Sequence, residues 1–408
     1  MSHELVEHFF RHEHARLVAG LARRVGVQHL ETVEDAVQAA LASALDSWRH
    51  GAPDKPSAWL TRVAHNELLD MLRTASGRTR ILAERGPAPD PLAPPEPGFA
   101  DEVADDLLRM LFACCDPQLP RPSQLVLALK TLCGFDVREI ALRLFTSEAN
   151  VYKRLARARA RLRETPDVLS ALDREQLIER RPAVHEVLYL LFTEGYLSSH
   201  AEQALRRELC EEALRLGELL AAHPVGQDPE TAALLALMHL HAARLGGRQD
   251  GSGGLLLLEE QDRAQWDQEQ IQHGLAWLAR SASGDTFSRF HAEAGIAAQH
   301  AMAPSFAETD WQQVSELYEL LEHATRSPVH RLNRAVAVAE WQGPEAGLEV
   351  LTGLHPPSWL EGSYMWSAVL ADLHRRAGHP VADAHRRAAL QSAPTAAVRA
   401  LLERRLGP

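Results

Sequence analysis

Apolar residues recur along this chain at three- and four-residue spacing, and no stretch alternates apolar and polar positions for long enough to read as a strand. The pattern predicts an all-α protein. Residues 5–24 make the first predicted helix, with Leu5, Phe9, His12 and Arg16 through Leu21 in loose helical period. Thr32, with Asp35 three residues on, is close to a capping box and starts a second helix. Its inner face carries Val33, Val37, Ala40, Leu41, Ala44, Leu45 and Trp48. Two prolines and a glycine in 50–56 stop it. Ser57 then caps a third helix bearing Trp59, Leu60, Val63, Ala64, Leu68 and Leu72. The prolines and glycines of 77–98 read as a flexible, partly polyproline-like linker, so that a first domain at 1–76 is followed by a linker at 77–100.

A second compact block covers 101–166. Its predicted helices lie at about 103–115, 122–133, 136–144 and 147–163, parted by Pro117 and Pro120, Gly134, and a turn at Phe145–Thr146. Residues 167–408 form a third region, helical almost throughout, with a Gly-rich tip at 246–254. In its last third Trp366, Val369, Leu373, Ala382, Ala389 and Pro394 are spaced like a tetratricopeptide unit, and a weaker copy runs from Asn333 through Ala337 to Ala346. Small residues at such positions let paired helices approach closely and stack, the alternative being a plain array of helical hairpins.

Charge sharpens this division. The 408-residue chain has a net charge of −12, yet residues 1–166 hold 22 Lys+Arg and 22 Asp+Glu, while 167–408 hold 21 and 33. Between Arg143 and Arg163 there are seven basic residues and one acidic residue, Glu148. That is the footprint of a polyanion-binding helix. The acidic extension either screens those arginines in a salt-sensitive way or, as the default, keeps a large domain dissolved and off DNA.

Residues 136–163 resolve into two helices and a tight turn. The first buries Ile140, Ala141 and Leu144. The second begins at Ser147 and buries Val151, Leu155, Ala158 and Leu162, leaving Asn150, Lys153, Arg154 and Arg157 outward near its N-terminal end. A helix-turn-helix presents its recognition helix to the major groove in this way. Earlier in the chain, helix 33–48 offers Glu34, Asp35 and Gln38 beside Trp48. Helix 57–73 shows Arg62, His65, Asn66 and Arg73 next to a proline-bearing loop, a polar face suited to a DNA strand or an extruded base.

The order V-E-D-A-V-Q-A-A-L-A-S-A-L-D-S-W (33–48), W-L-T-R-V-A-H-N-E-L-L-D-M-L-R (59–73), linker, basic helix-turn-helix resembles the sigma-70 family, in its extracytoplasmic-function group. The resemblance covers the first 165 residues. It implies a sigma-2 domain at 1–76, a sigma-4 domain at 101–166, and no covalent chemistry. By this resemblance Asp35, Gln38 and Trp48 dock the β′ clamp helices of core RNA polymerase, with the β flap as a further partner. Loop 51–56, Arg62, His65, Asn66 and Arg73 meet the −10 element, and Asn150, Lys153, Arg154 and Arg157 read the −35 element.

The remainder resembles the long helical extension of one branch of that group, related to tetratricopeptide repeats and thought to regulate activity. The residues that carry this are 190–196 (L-L-F-T-E-G-Y), 258–267 (L-E-E-Q-D-R-A-Q-W-D), 327–337 (S-P-V-H-R-L-N-R-A-V-A) and Cys114-Cys115-Asp116-Pro117. Thr193 and Asp116 depart from that branch, which usually has Asn and His there.

Enzyme readings are weak. In the acidic run Glu259, Glu260, Asp262 and Asp267, Arg263 and Trp266 are expected to pack the segment into a corner between helices. His239 and His241 point to different helix faces and make no zinc pair, and no phosphate-binding glycine loop is present. Cys114, Cys115, Cys133 and Cys210 have no paired C-x-x-C spacing, so no metal, cofactor or disulfide framework is expected. No secretory leader or apolar run of membrane-spanning length is visible, which predicts a cytoplasmic protein without a membrane partner. The competing reading is a helix-turn-helix repressor whose repeat domain senses a ligand or peptide, although helix 33–48 and the linker serve no purpose in it. A protein regulator acting on the C-terminal region is a further expected partner.

Overall fold

The computed structural model describes residues 3–48, 51–76, 105–165, 168, 172–198, 205–251 and 253–407. The linker expected at 77–100 lies outside them. Among the described residues the architecture is helical, and one isolated antiparallel bridge, Gln249 to Leu255, is the only extended pairing outside it. No described helix is long and apolar enough to cross a membrane. The chain divides into two compact units, one comprising residues 1–188 with 222–226, the other 189–221 with 227–408.

The first unit contains α1 (His3–Val25), α2 (Leu30–Ser47), α3 (Pro56–Ser76), α4 (Asp106–Cys114), α5 (Arg121–Thr131), α6 (Val137–Arg143) and α7 (Glu148–Glu164). Two expected starts move. α2 begins at Leu30 rather than after Thr32, because Gly26, at φ 91°, feeds a single 3₁₀ turn whose Val27 is buried and which runs straight into the helix. α3 begins at Pro56, a residue suited to the first helical turn, which places Ser57 inside the helix; its hydroxyl donates to the buried Glu13 carboxylate at 2.9 Å. The inner stripe of α2 is Leu30, Val33, Ala36, Val37, Ala40 and Ala44. Leu45, expected inside, is exposed, because it falls one step around the helix from that stripe. In α3, Leu60, Ala64 and Leu68 are fully buried.

Local capping chemistry sets the helix-turn-helix. Asp136 accepts from the Glu139 backbone N–H at 2.7 Å while the Glu139 carboxylate accepts from the Asp136 N–H at 2.7 Å, a complete capping box. Ser147 Oγ accepts from the Asn150 N–H at the start of α7. Val151, Leu155, Ala158 and Leu162 are buried as their spacing predicts. Below them Asp116 is a buried hub. It accepts from Arg161 Nε at 3.0 Å and from the Gln118 N–H at 2.9 Å, with Arg180 Nη2 at 4.0 Å. Arg180 also donates to the Phe112 and Ala113 carbonyls near the end of α4. The departure at Asp116 is therefore matched by two arginines.

α8 (Arg174–Tyr196) carries the chain on to the second unit, which continues with α9 (Arg207–Ala222), α10 (Pro229–Ala242), α11 (Gln268–Ser281), α12 (Arg289–Met302), α13 (Trp311–Thr325) and α14 (Pro328–Gln342). Then follow α15 (Pro344–Val350), α16 (Ser358–Glu361), α17 (Tyr364–Arg376), α18 (Ala382–Gln391) and α19 (Ala396–Leu406). α10 is apolar on nearly all sides and correspondingly buried against α11 and α12. In the 190–196 segment, Glu194 is fully buried; it accepts from Ser198 Oγ at 2.9 Å and faces Arg206 Nη1 at 3.6 Å. Thr193 satisfies its hydroxyl on the Leu190 carbonyl. Gly195 is required by close approach, since a Cβ there would lie 2.7 Å from the Arg206 carbonyl oxygen and from Cys210 Sγ.

The later helices share small successive cores. Ala292, Ile296, Val314, Leu321 and Ala337 form one, Leu332, Ala335, Ala339, Leu351, Leu360 and Leu373 the next, and Ala371, Ala389, Val398, Leu402 and Leu406 the last. The run 258–267 is structural. Asp262 and Asp267 accept backbone N–H groups at the starts of a 3₁₀ turn and of α11. Glu260 accepts from Arg404, and buried Trp266 lies under Arg263 and Arg244. His239 meets Gln270 and His241 meets Tyr196, on different sides of α10. All four cysteines are buried thiols.

Burial also predicts a pH response. It holds His14 and His330 down at about 4, with Lys130 and Arg289 respectively adding to it, and holds His300 down at about 3, with Arg244 and Arg263 adding. In the unfolded chain these imidazoles titrate near 6.5. Below that pH the unfolded state takes up protons that the folded state refuses, so stability present above about 6.5 is lost as pH falls toward 4. The melting temperature, followed by circular dichroism, is expected to drop between pH 7 and 5, and a His14→Gln/His330→Gln variant should flatten the slope. An unchanged slope in that variant would refute the assignment.

Candidate nucleic-acid interface

The sequence-predicted residues of α7 form a coherent surface. At about 100° per residue, Asn150, Lys153, Arg154 and Arg157 fall on one side of the helix, away from the buried stripe. Asn150, Lys153 and Arg157 are exposed and Arg154 is half-buried. None of the three cations has an ion-pair partner among the described residues, while the Asn150 amide donates to Thr146 Oγ1 at 3.4 Å. Phe145, in the turn before α7, adopts a left-handed φ of 49° and is 64% exposed.

The other arginines of the basic run are committed elsewhere. Arg159 pairs with Glu34 and, at 3.4 Å, with Glu31; Arg163 pairs with Glu31. Glu34 is buried and also accepts from the fully buried Thr131 hydroxyl at 3.0 Å. Burial pushes its carboxyl up from the usual range, and Arg159 and Thr131 pull it back. Arg161 is held by Asp116 and Glu164. The sequence reading set Glu34 beside Asp35 and Gln38, but the structure turns Glu34 inward toward α5 and α7 and leaves the other two exposed.

On α2, Asp35 and Gln38 share an exposed stripe. Trp48 does not join it. It lies ten residues beyond Gln38, about 15 Å along the axis, half-buried with its ring edge-on to Trp59 at 5.4 Å. On α3, Arg62, Asn66 and Arg73 are exposed on one side with His65 half-buried among them. Arg73 makes an exposed ion pair with Asp70 at 3.1 Å, of small energetic weight. Burial, with Arg24 adding, lowers the His65 pKa from its ordinary value, so the ring is neutral at pH 7. Sequence reasoning missed Tyr152, which is 59% exposed between Val151 and Lys153. Its offset from the 151/155/158/162 stripe was the signal available.

Two surfaces of polar and basic residues thus stand on adjoining helical bundles, one of them a helix-turn-helix. Sigma-70 region 2 matches residues 10–78 and Sigma-70 region 4 matches residues 109–162. Over 162 residues the chain is 32% identical to the ECF RNA polymerase sigma factor SigM of Mycobacterium tuberculosis, which covers 38% of this chain and 74% of that protein. The chain belongs to the sigma-70 family, among the ECF sigma factors. Membership implies binding of core RNA polymerase and promoter DNA, and a non-enzymatic role. Residues 180–282 match a family of unknown function (DUF6596). An uncharacterized protein of Rhizobium meliloti is 38% identical over 339 residues, 80% of this chain and 78% of that one, so the likeness extends well into the helical region that follows the sigma domains. No solved structure matches the chain.

Proposed function

We propose that this protein directs promoter-specific initiation by core RNA polymerase, helps open the duplex, and is modulated by its C-terminal helical region. The observation that carries this is the cationic stripe of α7, unpaired among the described residues, on a region 4 helix-turn-helix in a chain that also holds region 2. In this reading Asp35, Gln38 and Trp48 meet the β′ clamp helices, and the region 4 domain approaches the β flap. Loop 51–56 with Arg62, His65, Asn66 and Arg73 engages the −10 element. Asn150, Lys153, Arg154 and Arg157 read the −35 element, and exposed Tyr152 joins them. The domains run 1–76, 101–166 and 167–408 about a linker at 77–100, the last being tetratricopeptide-like, in a cytoplasmic protein open to a protein regulator.

Run-off transcription with purified core polymerase on the promoter of the protein's own operon tests the reading, comparing the full chain with one ending near Pro166. A second truncation at Leu188 keeps Arg180 on the α4 carbonyls. Transcript from the full chain alone makes the extension necessary, whereas stronger transcript from the short forms makes it inhibitory. No transcript from any form, with tight duplex binding in the absence of polymerase, replaces this reading with the repressor.

The Glu31 and Glu34 pairs give a further expected result. Glu31→Gln/Glu34→Gln releases two guanidiniums, so non-specific duplex affinity should rise and the salt dependence steepen by about two in log–log slope. An unchanged slope would show that Arg159 and Arg163 do not reach phosphates when freed.

A further inference from the structure

The second unit carries a half-open cavity of about 450 Å³, within the range of small-molecule sites. Part of its wall is aromatic. Trp311 stands edge-on to Phe306, with centroids 5.0 Å apart, and edge-on to His300 at 5.3 Å. His300 is nine-tenths buried, its imidazole is held neutral by burial and by Arg244 and Arg263, and its Nδ1 has no hydrogen-bond partner among the described residues. Asn333 of α14 also lines the cavity, half-buried, and its side-chain amide makes no hydrogen bond among the described residues.

Another part of the wall is cationic. Asp372, 6% exposed, is faced by Arg375 at 2.8 Å, Arg405 at 3.6 Å and Arg376 at 3.7 Å. Arg376 is taken up further by Glu340 and by the Ala339 carbonyl. Arg375 spends one donor on Asp372, and Arg405 makes no hydrogen bond among the described residues. Three guanidiniums around two carboxylates leave one positive charge in excess, with donors unspent on two of them. The remaining lining charge, Glu259, is exposed, as Arg375 is, so water screens both, and Arg405 and Arg376 are the more sheltered cations.

Aromatic wall, unspent guanidinium donors and an orphaned buried nitrogen occur together in one cavity. We propose that it binds a small organic anion with an aromatic body, its carboxylate taken by Arg375 and Arg405 and its ring lying among Trp311, Phe306 and His300. Guanidinium pairs suit a carboxylate because they meet both its oxygens, and such charge-assisted bonds are roughly twice as strong as neutral ones. The inference goes beyond the reading of the sigma domains and does not depend on it.

The test is isothermal titration calorimetry of the full chain with 1-naphthylacetate, alongside the uncharged 1-naphthylacetamide and the cationic 1-naphthylmethylamine. Saturable one-site binding of the acid is expected, with the amide and amine at least about tenfold weaker. An Arg375→Gln/Arg405→Gln variant, its fold checked by its melting curve, should lose about tenfold in affinity for the acid. The probe series decides by itself if that variant does not fold. Absence of saturable binding, equal binding of the three probes, or undiminished affinity in a folded variant overturns the proposal.

Discussion

Replacing Lys153, Arg154 and Arg157 together by alanine is expected to reduce promoter-specific run-off transcript by about two orders of magnitude or more at physiological salt. Each is unpaired among the described residues, so each has its full charge and hydrogen-bonding capacity available to DNA. Losing base or phosphate contacts costs about 1–3 kcal/mol apiece. None of the three supports the core, which rests on Val151, Leu155, Ala158 and Leu162, so the melting temperature should hardly move. The control is Arg159→Ala/Arg163→Ala combined with Glu31→Gln/Glu34→Gln, which removes charge from the same helix together with the carboxylates that neutralise it, so that the buried Glu34 position carries no charge without its arginine. That variant should keep most of its transcript. An equal fall in both would mean that the overall charge of α7 matters and its particular stripe does not.

Arg206→Ala is expected to be the most destabilising single change in the second unit, lowering its unfolding free energy by about 3–5 kcal/mol. The reason is Glu194, which is fully buried with the Arg206 guanidinium 3.6 Å away and would lose that countercharge in a water-poor setting. Urea unfolding followed by tryptophan fluorescence reads this unit preferentially, because six of the eight tryptophans lie in it. The paired variant Glu194→Gln/Arg206→Ala should recover a substantial part of the loss, since the carboxylate that faced the guanidinium is then neutral as well. A loss below about 1 kcal/mol for Arg206→Ala would place the anchor of the 190–196 segment elsewhere, in Arg248 stacked 3.6 Å over Tyr196 for instance.

Legibility in the sequence followed the range of the interaction. The capping box at Asp136–Glu139, the Ser147 cap and the buried stripe of α7 are made by residues within one or a few turns of each other, so spacing alone located them. The same reasoning erred where a neighbouring element intervened. Thr32 and Ser57 have cap chemistry by local sequence, but the 3₁₀ turn after Gly26 starts α2 earlier, and Pro56 starts α3 before Ser57, whose hydroxyl goes to Glu13, so neither caps its helix. The family resemblance was carried by contiguous motifs in the first 165 residues, and the same stretch holds both sigma-70 matches.

By itself, then, the sequence determined an all-α chain, a helix-turn-helix with its inner and outer faces, and the order of motifs that marks a sigma factor, because helical period and capping are local physics. The tertiary structure alone decided which charges are free. Seven basic residues between 143 and 163 look alike in composition, yet Arg159 and Arg163 are neutralised by carboxylates more than 120 residues away, and Arg161 by Asp116. It also decided that three arginines meet around Asp372 beside an aromatic wall built from α12 and α13 and the turn between them. A charge pair is set by distance in space, and folding brings together residues whose separation along the chain carries no period to read.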